Sequence, residues 1–314
     1  MAARLRKSIA RAAAAVALML SALAAAPGQT TDAVIPAAPK FIGARGIALG
    51  DAIGSDEFDV EAMYQNPATL SFLRRPDVLI DQRHGYPNQV FQENIAGRLF
   101  ANRFIALGIG LGAETAGKLT HGGPFNFTQE DLDAAVAFRP PGVSSDLSFG
   151  LLGNFKSGRT DAGTRSAARL TAGLMYSPSP GTSYSAVFRG MGTDLVYNSV
   201  TYPEGRLTQS ALVQVPRSLE LGSTMRYPAS SGKPYLTISI SGEKDFEAHT
   251  LRVRGGIETI IMDLLSLRVG YVNAEVRQLR LGAGIAIGRL IVDYAVMPVQ
   301  NAGKFDEVTL KVTL

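Results

Sequence analysis

Apolar residues alternate with polar or small ones along most of the chain after residue 77. The run 249–259 shows the pattern, with Leu251, Val253, Gly255 and Ile257 on one face and Arg252, Arg254, Gly256 and Glu258 on the other. Runs 278–287 and 307–314 repeat it, and the i, i+3, i+4 spacing of a helix is scarcely found. A period of two residues is that of a β-strand, so the chain is predicted to be all-β in this region.

Turn signals divide this region into fourteen candidate strands, an even number. The runs are 77–84, 91–100, 103–113, 132–139, 145–155, 166–176, 182–190, 217–227, 234–243, 249–261, 265–273, 277–287, 289–296 and 306–314. Connectors after the even-numbered runs are short, whereas several after the odd-numbered runs are longer, notably 114–131 and 191–216. Short turns at one rim and long loops at the other are typical of an outer-membrane barrel with both termini at the periplasmic rim.

A soluble β-sandwich is the alternative, because it also alternates apolar and polar residues. A sandwich gives no reason for the asymmetry of the connectors, and strands in soluble proteins average about five to six residues. Runs near ten residues match tilted strands that cross a bilayer. The pattern therefore favours a 14-stranded antiparallel transmembrane β-barrel over residues 77–314, in contact with outer-membrane lipid.

Charged residues of the last strands all fall on the face opposite the apolar residues. They are Arg252, Arg254, Glu258, Arg268, Arg280, Asp293, Glu307 and Lys311. A charge facing lipid costs about 2–4 kcal/mol at the bilayer midplane, so this face is predicted to line the lumen. The charges could form an ion-paired plug or a selectivity lining for a polar or amphipathic solute, and the presence of both signs favours pairing.

The N-terminus has a cationic start up to Arg11, an apolar run over 12–23 and a small-residue exit typical of signal peptidase sites. About twelve apolar residues are too few to cross a membrane as a helix, which takes about 20. We therefore expect a secretory signal peptide over 1–24, followed by an N-terminal extension over 25–40.

The segment 41–76 differs from the barrel, because short helical pieces fit it better than strands. Asp59 is a candidate N-cap, and a helix that follows it must end at Gln65 or Asn66 because Pro67 comes next. The stretch from Gly43 to Ala52 reads GARGIALGDA and is followed by acidic residues. A further motif then comprises Tyr64, Asn66, Pro67, Ala68 and Leu70.

These motifs ahead of a fourteen-stranded barrel resemble the PorV/PorQ proteins of type IX secretion, which belong to the FadL-like superfamily of outer-membrane transporters. The resemblance implies that residues 41–76 form a hatch in the lumen or at its mouth. Tyr64 and Leu70 should then be buried. We expect the acidic residues Asp56, Glu57, Asp59 and Glu61 of the hatch to pair with inward arginines, among them Arg252, Arg254 and Arg280.

The last strand carries a predicted assembly signal for the barrel assembly machinery, made of Val308, Leu310, Val312 and Leu314. Members of the family close with an aromatic residue, whereas this chain closes with Leu314. Replacement of Leu314 by Phe is therefore expected to leave assembly unchanged or to improve it.

Composition excludes several classes of function. The formal charge of +4 comes from four basic residues in the first eleven, which leaves 27 basic against 27 acidic residues and no footprint for nucleic acid. The absence of cysteine excludes zinc–thiolate sites, iron–sulfur clusters and thiol catalysis. Gly112 to Lys118 has P-loop spacing, but Leu119 stands where Ser or Thr should hold magnesium. His84, His121 and His249 lie far apart, so we expect no metal site and no cofactor.

Three functions remain. The resemblance implies a non-enzymatic component of protein export, which docks an exported protein or other secretion-complex subunits through its extracellular loops. The alternative is a FadL-like transporter of hydrophobic small molecules across the outer membrane of a Gram-negative-type bacterium. An outer-membrane enzyme is the least favoured, because no spacing singles out a nucleophile and a base.

Overall fold

The computed structural model describes residues 42–57, 59–73, 77–86, 90–116, 127–143, 145–160, 163–192, 195–197, 200–201, 207–208, 211–213, 217–229, 234–273, 277–299 and 303–314. The predicted signal peptide and N-terminal extension lie outside these residues. No helix in the described residues has the length and apolar character needed to cross a membrane.

Fourteen strands form one closed antiparallel barrel, which confirms the predicted fold class. The first seven strands are β1 (Asp77–Tyr86), β2 (Val90–Ala101), β3 (Ile105–Ala116), β4 (Phe127–Phe138), β5 (Leu147–Thr160), β6 (Gly163–Ser179) and β7 (Thr182–Gly192). The other seven are β12 (Ser218–Tyr227), β13 (Leu236–Asp245), β14 (Leu251–Ile261), β15 (Leu265–Asn273), β16 (Arg277–Ile287), β17 (Leu290–Val299) and β18 (Gly303–Thr313). Strands β1 and β18 close the barrel, with Asp77 opposite Thr313.

The connector 191–216, predicted as a loop, contains four short strands. They are β8 (Leu195–Tyr197), β9 (Val200–Thr201), β10 (Leu207–Thr208) and β11 (Ala211–Val213), and they pair as β8 with β11 and β9 with β10. Strands of two or three residues are too short to show a period of two, so the hydrophobic pattern did not reveal them.

The loop predicted over 114–131 is also shorter than expected, because β3 extends to Ala116 and β4 begins at Phe127. This part of β4 is polar on both faces: Gln129 and Asp131 are buried, whereas Thr128 and Glu130 are exposed. A strand without an apolar face gives no alternation of hydrophobicity, so its start could not be recognised.

Alternation along the strands separates an apolar outer face from a charged inner one. Leu107, Leu132 and Leu281 are typical of the outer face and are 40–51% exposed. All eight charged residues predicted to line the lumen lie on the inner face. Seven of these are buried, and the Arg252 side chain is 23% exposed.

The segment before β1 lies inside the barrel, and we call its described part, residues 42–73, the hatch. It contains α1 (Ala44–Ala48), α2 (Ala62–Gln65) and a 3-10 helix, Pro67–Ser71. Helix α2 ends as predicted, with Asn66 extended ahead of Pro67. The N-cap prediction for Asp59 is wrong. Glu61 holds the cap position of α2, and Asp59 instead accepts a hydrogen bond from the Glu61 backbone N–H.

Candidate functional site

The candidate site is the interface between the hatch and the barrel wall, where the Asn-Pro-Ala motif lies. Asn66 Nδ2 donates to the backbone oxygens of Gly54 at 2.8 Å and Leu174 at 3.1 Å, and Asn66 Oδ1 accepts from Ala68 N at 3.1 Å. One buried amide thus ties two parts of the hatch to each other and to β6. Its partners are buried backbone groups, which are costly to leave unpaired.

Wall glycines let the hatch backbone pack directly on the barrel. A Cβ at Gly150 would overlap the backbone N of Ala68, and a Cβ at Gly173 would overlap Asn66 Oδ1. The same close approach occurs on the opposite side of the lumen, at Gly256, Gly270 and Gly282. In the sequence these glycines looked diffuse. They could have been recognised because they fall on the same alternating, inward-facing positions of the strands as the charged residues.

Apolar residues of the hatch form a core with β1 to β5. Tyr64 and Leu70 are buried, as predicted, at 4% and 0% exposure. They belong to a cluster that joins the hatch to the wall: Ile42, Val60, Met63, Tyr64, Leu70, Leu73, Leu79, Ala96, Ala106, Ala135, Ala137 and Leu152. This side of the hatch is therefore held by apolar packing.

The other side of the hatch is held by ion pairs, and Lys311 is one centre of them. Its Nζ contacts a carboxylate oxygen of Asp59, lies 3.3 Å from Glu61 Oε1 and 2.7 Å from Asp293 Oδ2. Two of these three carboxylates belong to the hatch and one to β17. The Lys311 ammonium therefore bridges the hatch and the wall inside the barrel.

Arg45 of α1 is the second centre. Its guanidinium lies 2.8 Å from Glu258 Oε2 and 2.5 Å from Asp56 Oδ2. Glu258 also contacts Arg268 at 2.7 Å, and Arg268 contacts Asp293 at 2.6 Å. Because Asp293 also binds Lys311, the two centres form one connected network.

The prediction that hatch acids pair with inward arginines is confirmed for Asp56 and Glu57, which contact Arg226, but it is wrong for the three arginines that were named. Arg252 and Arg254 pair with wall carboxylates, Glu243 in both cases. Arg280 does bind the hatch, but through Asp51, which the sequence did not single out. Hatch residue Gly50 lies against Gly255, next to Arg254, but the Arg254 guanidinium is already paired with Glu220 and Glu243 of the wall. Neighbourhood in the sequence does not reveal the height of a hatch residue in the barrel.

Sequence reasoning also missed three wall arginines that bind the hatch. Arg226 lies 3.1 Å from Glu57 Oε1 and 3.7 Å from Asp56 Oδ1. Arg189 donates to the backbone oxygen of Gln65 at 2.6 Å, and Arg98 to that of Leu73. These arginines lie on β12, β7 and β2, whereas the inward charges predicted from the sequence all lie in the last five strands.

The β18 side chains Glu307 and Thr309 bind the start of α1. Glu307 Oε1 accepts from Gly43 N at 2.8 Å, and Thr309 Oγ1 accepts from Ala44 N at 2.7 Å. These two N–H groups have no partner within so short a helix, so the wall supplies it. Gly43 has a φ of 107°, and a Cβ there would overlap the Glu61 carboxylate.

Two neighbouring hatch acids have opposite pKa shifts. Burial raises the pKa of Glu61 well above its ordinary value, and the charge of Asp59 adds to this. Burial also acts to raise the pKa of Asp59, but the Lys311 ammonium, a hydrogen bond with Glu61 and the charge of Arg45 together outweigh it, and the pKa falls below its ordinary value. The site thus favours a charged Asp59 and disfavours a charged Glu61.

The predicted assembly signal lies on the outer face, where Val308, Leu310, Val312 and Leu314 are all exposed. Its reading by the assembly machinery stays a prediction. Within the described residues, no group of three His, Asp or Glu side chains is arranged to hold a metal ion.

No protein-family model matches the chain, and no curated protein matches its sequence. Solved structures do match its fold. The toluene transporter TbuX of Ralstonia pickettii is 16% identical, with 87% of this chain and 97% of that chain covered and a TM-score of 0.61. The toluene transporter TodX of Pseudomonas putida is 12% identical, with 88% and 99% covered and a TM-score of 0.61. A FadL homologue of Pseudomonas aeruginosa is 12% identical, with 87% and 98% covered and a TM-score of 0.60. The likeness shows that the fold is a FadL-like barrel.

Proposed function

We propose that the protein is an outer-membrane channel that admits small hydrophobic molecules when its hatch moves. The observation that carries the proposal is the hatch itself, which fills a barrel of the fold found in TbuX and TodX. Both of those proteins are named as toluene transporters. The proposal replaces protein export as the first choice and adopts the alternative function from the sequence.

The two faces of the barrel support a place in the outer membrane. Outward side chains are apolar around the barrel, and a soluble protein rarely exposes so large a continuous apolar surface. The charged side chains named on β14 to β18 point inward, where they do not meet lipid. The periplasmic location of the termini is part of the same proposal.

Passage through the lumen requires the hatch to move, because its backbone packs directly on the wall glycines. Ion pairs and hydrogen bonds hold one side of the hatch and apolar packing holds the other. No disulfide fixes it, because the chain contains no cysteine. A hatch held by noncovalent contacts can be released and can return.

Protein export is the second candidate, and one observation favours it. The Asn-Pro-Ala motif that resembles the PorV/PorQ proteins holds the hatch to the wall through Asn66. A hatch of this kind also suits a channel, so the motif does not separate the two functions. We propose no enzymatic activity for either candidate.

The experiment compares the uptake of two labelled solutes by cells that lack other channels for them. We expect the wild-type protein to raise the uptake rate of toluene above that of cells with empty vector, and to leave arabinose uptake unchanged. Deletion of residues 41–75 should admit both solutes and raise the ion conductance in planar bilayers, because the removed segment fills the lumen. Wild-type toluene uptake equal to that of the empty-vector cells would refute the channel.

A further inference from the structure

The outer wall carries a groove of about 830 Å³ that crosses β18 and β1 to β5. One side of the groove, which we call the apolar bank, is a row of apolar side chains from neighbouring strands. Each residue of the row pairs with the next one in the strand register: Leu310, Ile80, Ile95, Leu111, Leu132 and Phe155. The other bank is the neighbouring row of outward residues: Val308, Gln82, Glu93, Ala113, Glu130 and Ser157. The groove therefore runs across the strands, between an apolar bank and a largely polar one.

Exposure shows that this groove lies outside the lumen. Ile80, Leu111 and Phe155 of the apolar bank are 50–53% exposed. Asp81 and Asp131, which come between the two rows, point inward and are 1% and 5% exposed. The backbone of these inward residues forms the floor. The floor is continuous, because the β1–β2, β2–β3 and β3–β4 ladders keep an unbroken register there.

The groove has the size of a ligand site. Pockets for small molecules are commonly about 300–1,000 Å³. Six strands at about 4.8 Å spacing give a length of about 24 Å, so the occupant is elongated rather than round. An apolar chain that lies along the groove would bury part of the row from Leu310 to Phe155.

The polar bank carries two carboxylates, Glu93 and Glu130, both exposed. Gln82 Nε2 donates to Glu93 Oε1 at 3.4 Å. In the part of the chain that the structure describes, neither carboxylate forms a salt bridge. Two carboxylates beside an apolar row attract a cationic head group and repel an anionic one.

We propose that this groove binds an amphiphile with a protonated amine head group and one apolar chain, taken from the surrounding membrane. The amine lies between Glu93 and Glu130, above Ala113 of β3, and the chain runs from there along the apolar bank towards Phe155. A fatty acid of the same length is disfavoured, because its carboxylate meets two like charges. The proposal concerns the outer wall and does not require that the protein transports anything.

The absence of tryptophan from the chain gives a clean test. Phe155→Trp places a fluorophore at the end of the groove. Phe149→Trp is the matched control on the same strand and outer face, about 20 Å nearer the other rim. The two phenylalanines are similarly exposed, at 50% and 42%. Each variant, in detergent micelles, is titrated with dibrominated octadecylamine, octadecanol and octadecanoic acid, whose bromines quench tryptophan.

We expect the amine to quench the Phe155→Trp variant at a concentration about fivefold below that of the alcohol. This factor corresponds to about 1 kcal/mol, as expected for two exposed ion pairs. The acid should need more than the alcohol, and the control variant should not discriminate. Glu93→Gln with Glu130→Gln, added to Phe155→Trp, should abolish the preference for the amine and leave quenching by the alcohol unchanged.

Three outcomes would overturn the proposal. The first is equal quenching of Phe155→Trp by the amine and the acid, and the second is a preference for the amine that survives removal of both carboxylates. The third is that none of the three probes quenches Phe155→Trp although they quench Phe149→Trp. The last outcome would show that a second copy or another protein covers the groove. Heat-modifiable mobility on gels verifies that each variant has a folded barrel.

Discussion

Replacement of Lys311 by Met should release the hatch. The Lys311 ammonium contacts two hatch carboxylates and one wall carboxylate, and its side chain is 5% exposed. Loss of one partner of a buried ion pair costs about 3–5 kcal/mol, because the remaining charges stay buried without compensation. Methionine keeps much of the side-chain volume, so the substitution destabilises docking by removing the positive charge and not by creating a cavity. The docked hatch should become about 150- to 5,000-fold less populated relative to the released one.

A single engineered cysteine can report this release, because the natural chain has none. Ala62 is fully buried in α2 and packs with Leu49 and Ile53, so Ala62→Cys adds one small side chain to a covered position. The rate of labelling by a membrane-impermeant maleimide then measures how often the hatch leaves the wall. We expect the rate to rise about 150- to 5,000-fold in Lys311→Met.

The matched control is Lys304→Met on the same strand. Lys304 pairs with Asp306 at 2.9 Å, but its side chain is 52% exposed, and an exposed pair contributes about 0–1 kcal/mol. It should therefore leave the labelling rate within a few-fold of the parent. A folded Lys311→Met barrel that labels no faster than the Lys304→Met variant would refute the idea that ion pairs hold the hatch.

Four further variants address other parts of the same interface, with the same cysteine reporter. Gly150→Ala should raise the labelling rate because its Cβ overlaps the hatch backbone, whereas Gly153→Ala on the same strand has only a distant neighbour at 3.9 Å and should not; equal rates would contradict the close approach. Asn66→Ala should raise the rate roughly tenfold, since it leaves buried backbone groups without partners at about 1–3 kcal/mol; an unchanged rate would make the motif dispensable for docking. Because the pKa of Asp59 is lowered, its contribution to docking is present above its ordinary value of 3.8 and is lost as the pH falls below it. Maleimide reacts with the thiolate, so each labelling rate is divided by the rate of a free cysteine at the same pH. The corrected rate should rise on acidification in the parent and not in Asp59→Asn. Because the pKa of Glu61 is raised, docking weakens as the pH rises above 4.5, and Glu61→Gln should label more slowly than the parent at pH 8.

The barrel could be predicted because a strand with an apolar outer face and a polar inner face has a sequence in which apolar and polar residues alternate with a period of two. The same alternation placed Glu258, Arg268 and Lys311 on the inner face. The end of α2 was predictable for a different reason, since Pro67 acts on its immediate neighbour through sterics. Both kinds of signal are local, and each needs only a few consecutive residues.

The partners across the lumen could not be predicted, because they join residues far apart in sequence at a common height in the barrel. Arg45 and Glu258 are 213 positions apart, and Lys311 and Asp59 are 252 apart. Each lumen charge has several possible partners, and the strand register alone does not give the position of the hatch. The outer groove was hidden for a similar reason, because its two banks are single residues from six strands.

The connectivity of the ion pairs decides how the hatch can move. Lys311 and Arg45 are linked through Asp293, Arg268 and Glu258. If the hatch breaks its ion pair at only one of these two centres, a buried charge there is left without a partner while the other centre stays paired. In a half-released hatch some charges have lost their partners but are still buried away from water, which raises the free energy of that state. In a fully released hatch the acidic side chains are hydrated. Intermediate positions should be the least stable, and the hatch should exchange between docked and released states as one unit. Uptake through this barrel would then depend on the population of the released state and not on a gradual widening of the lumen.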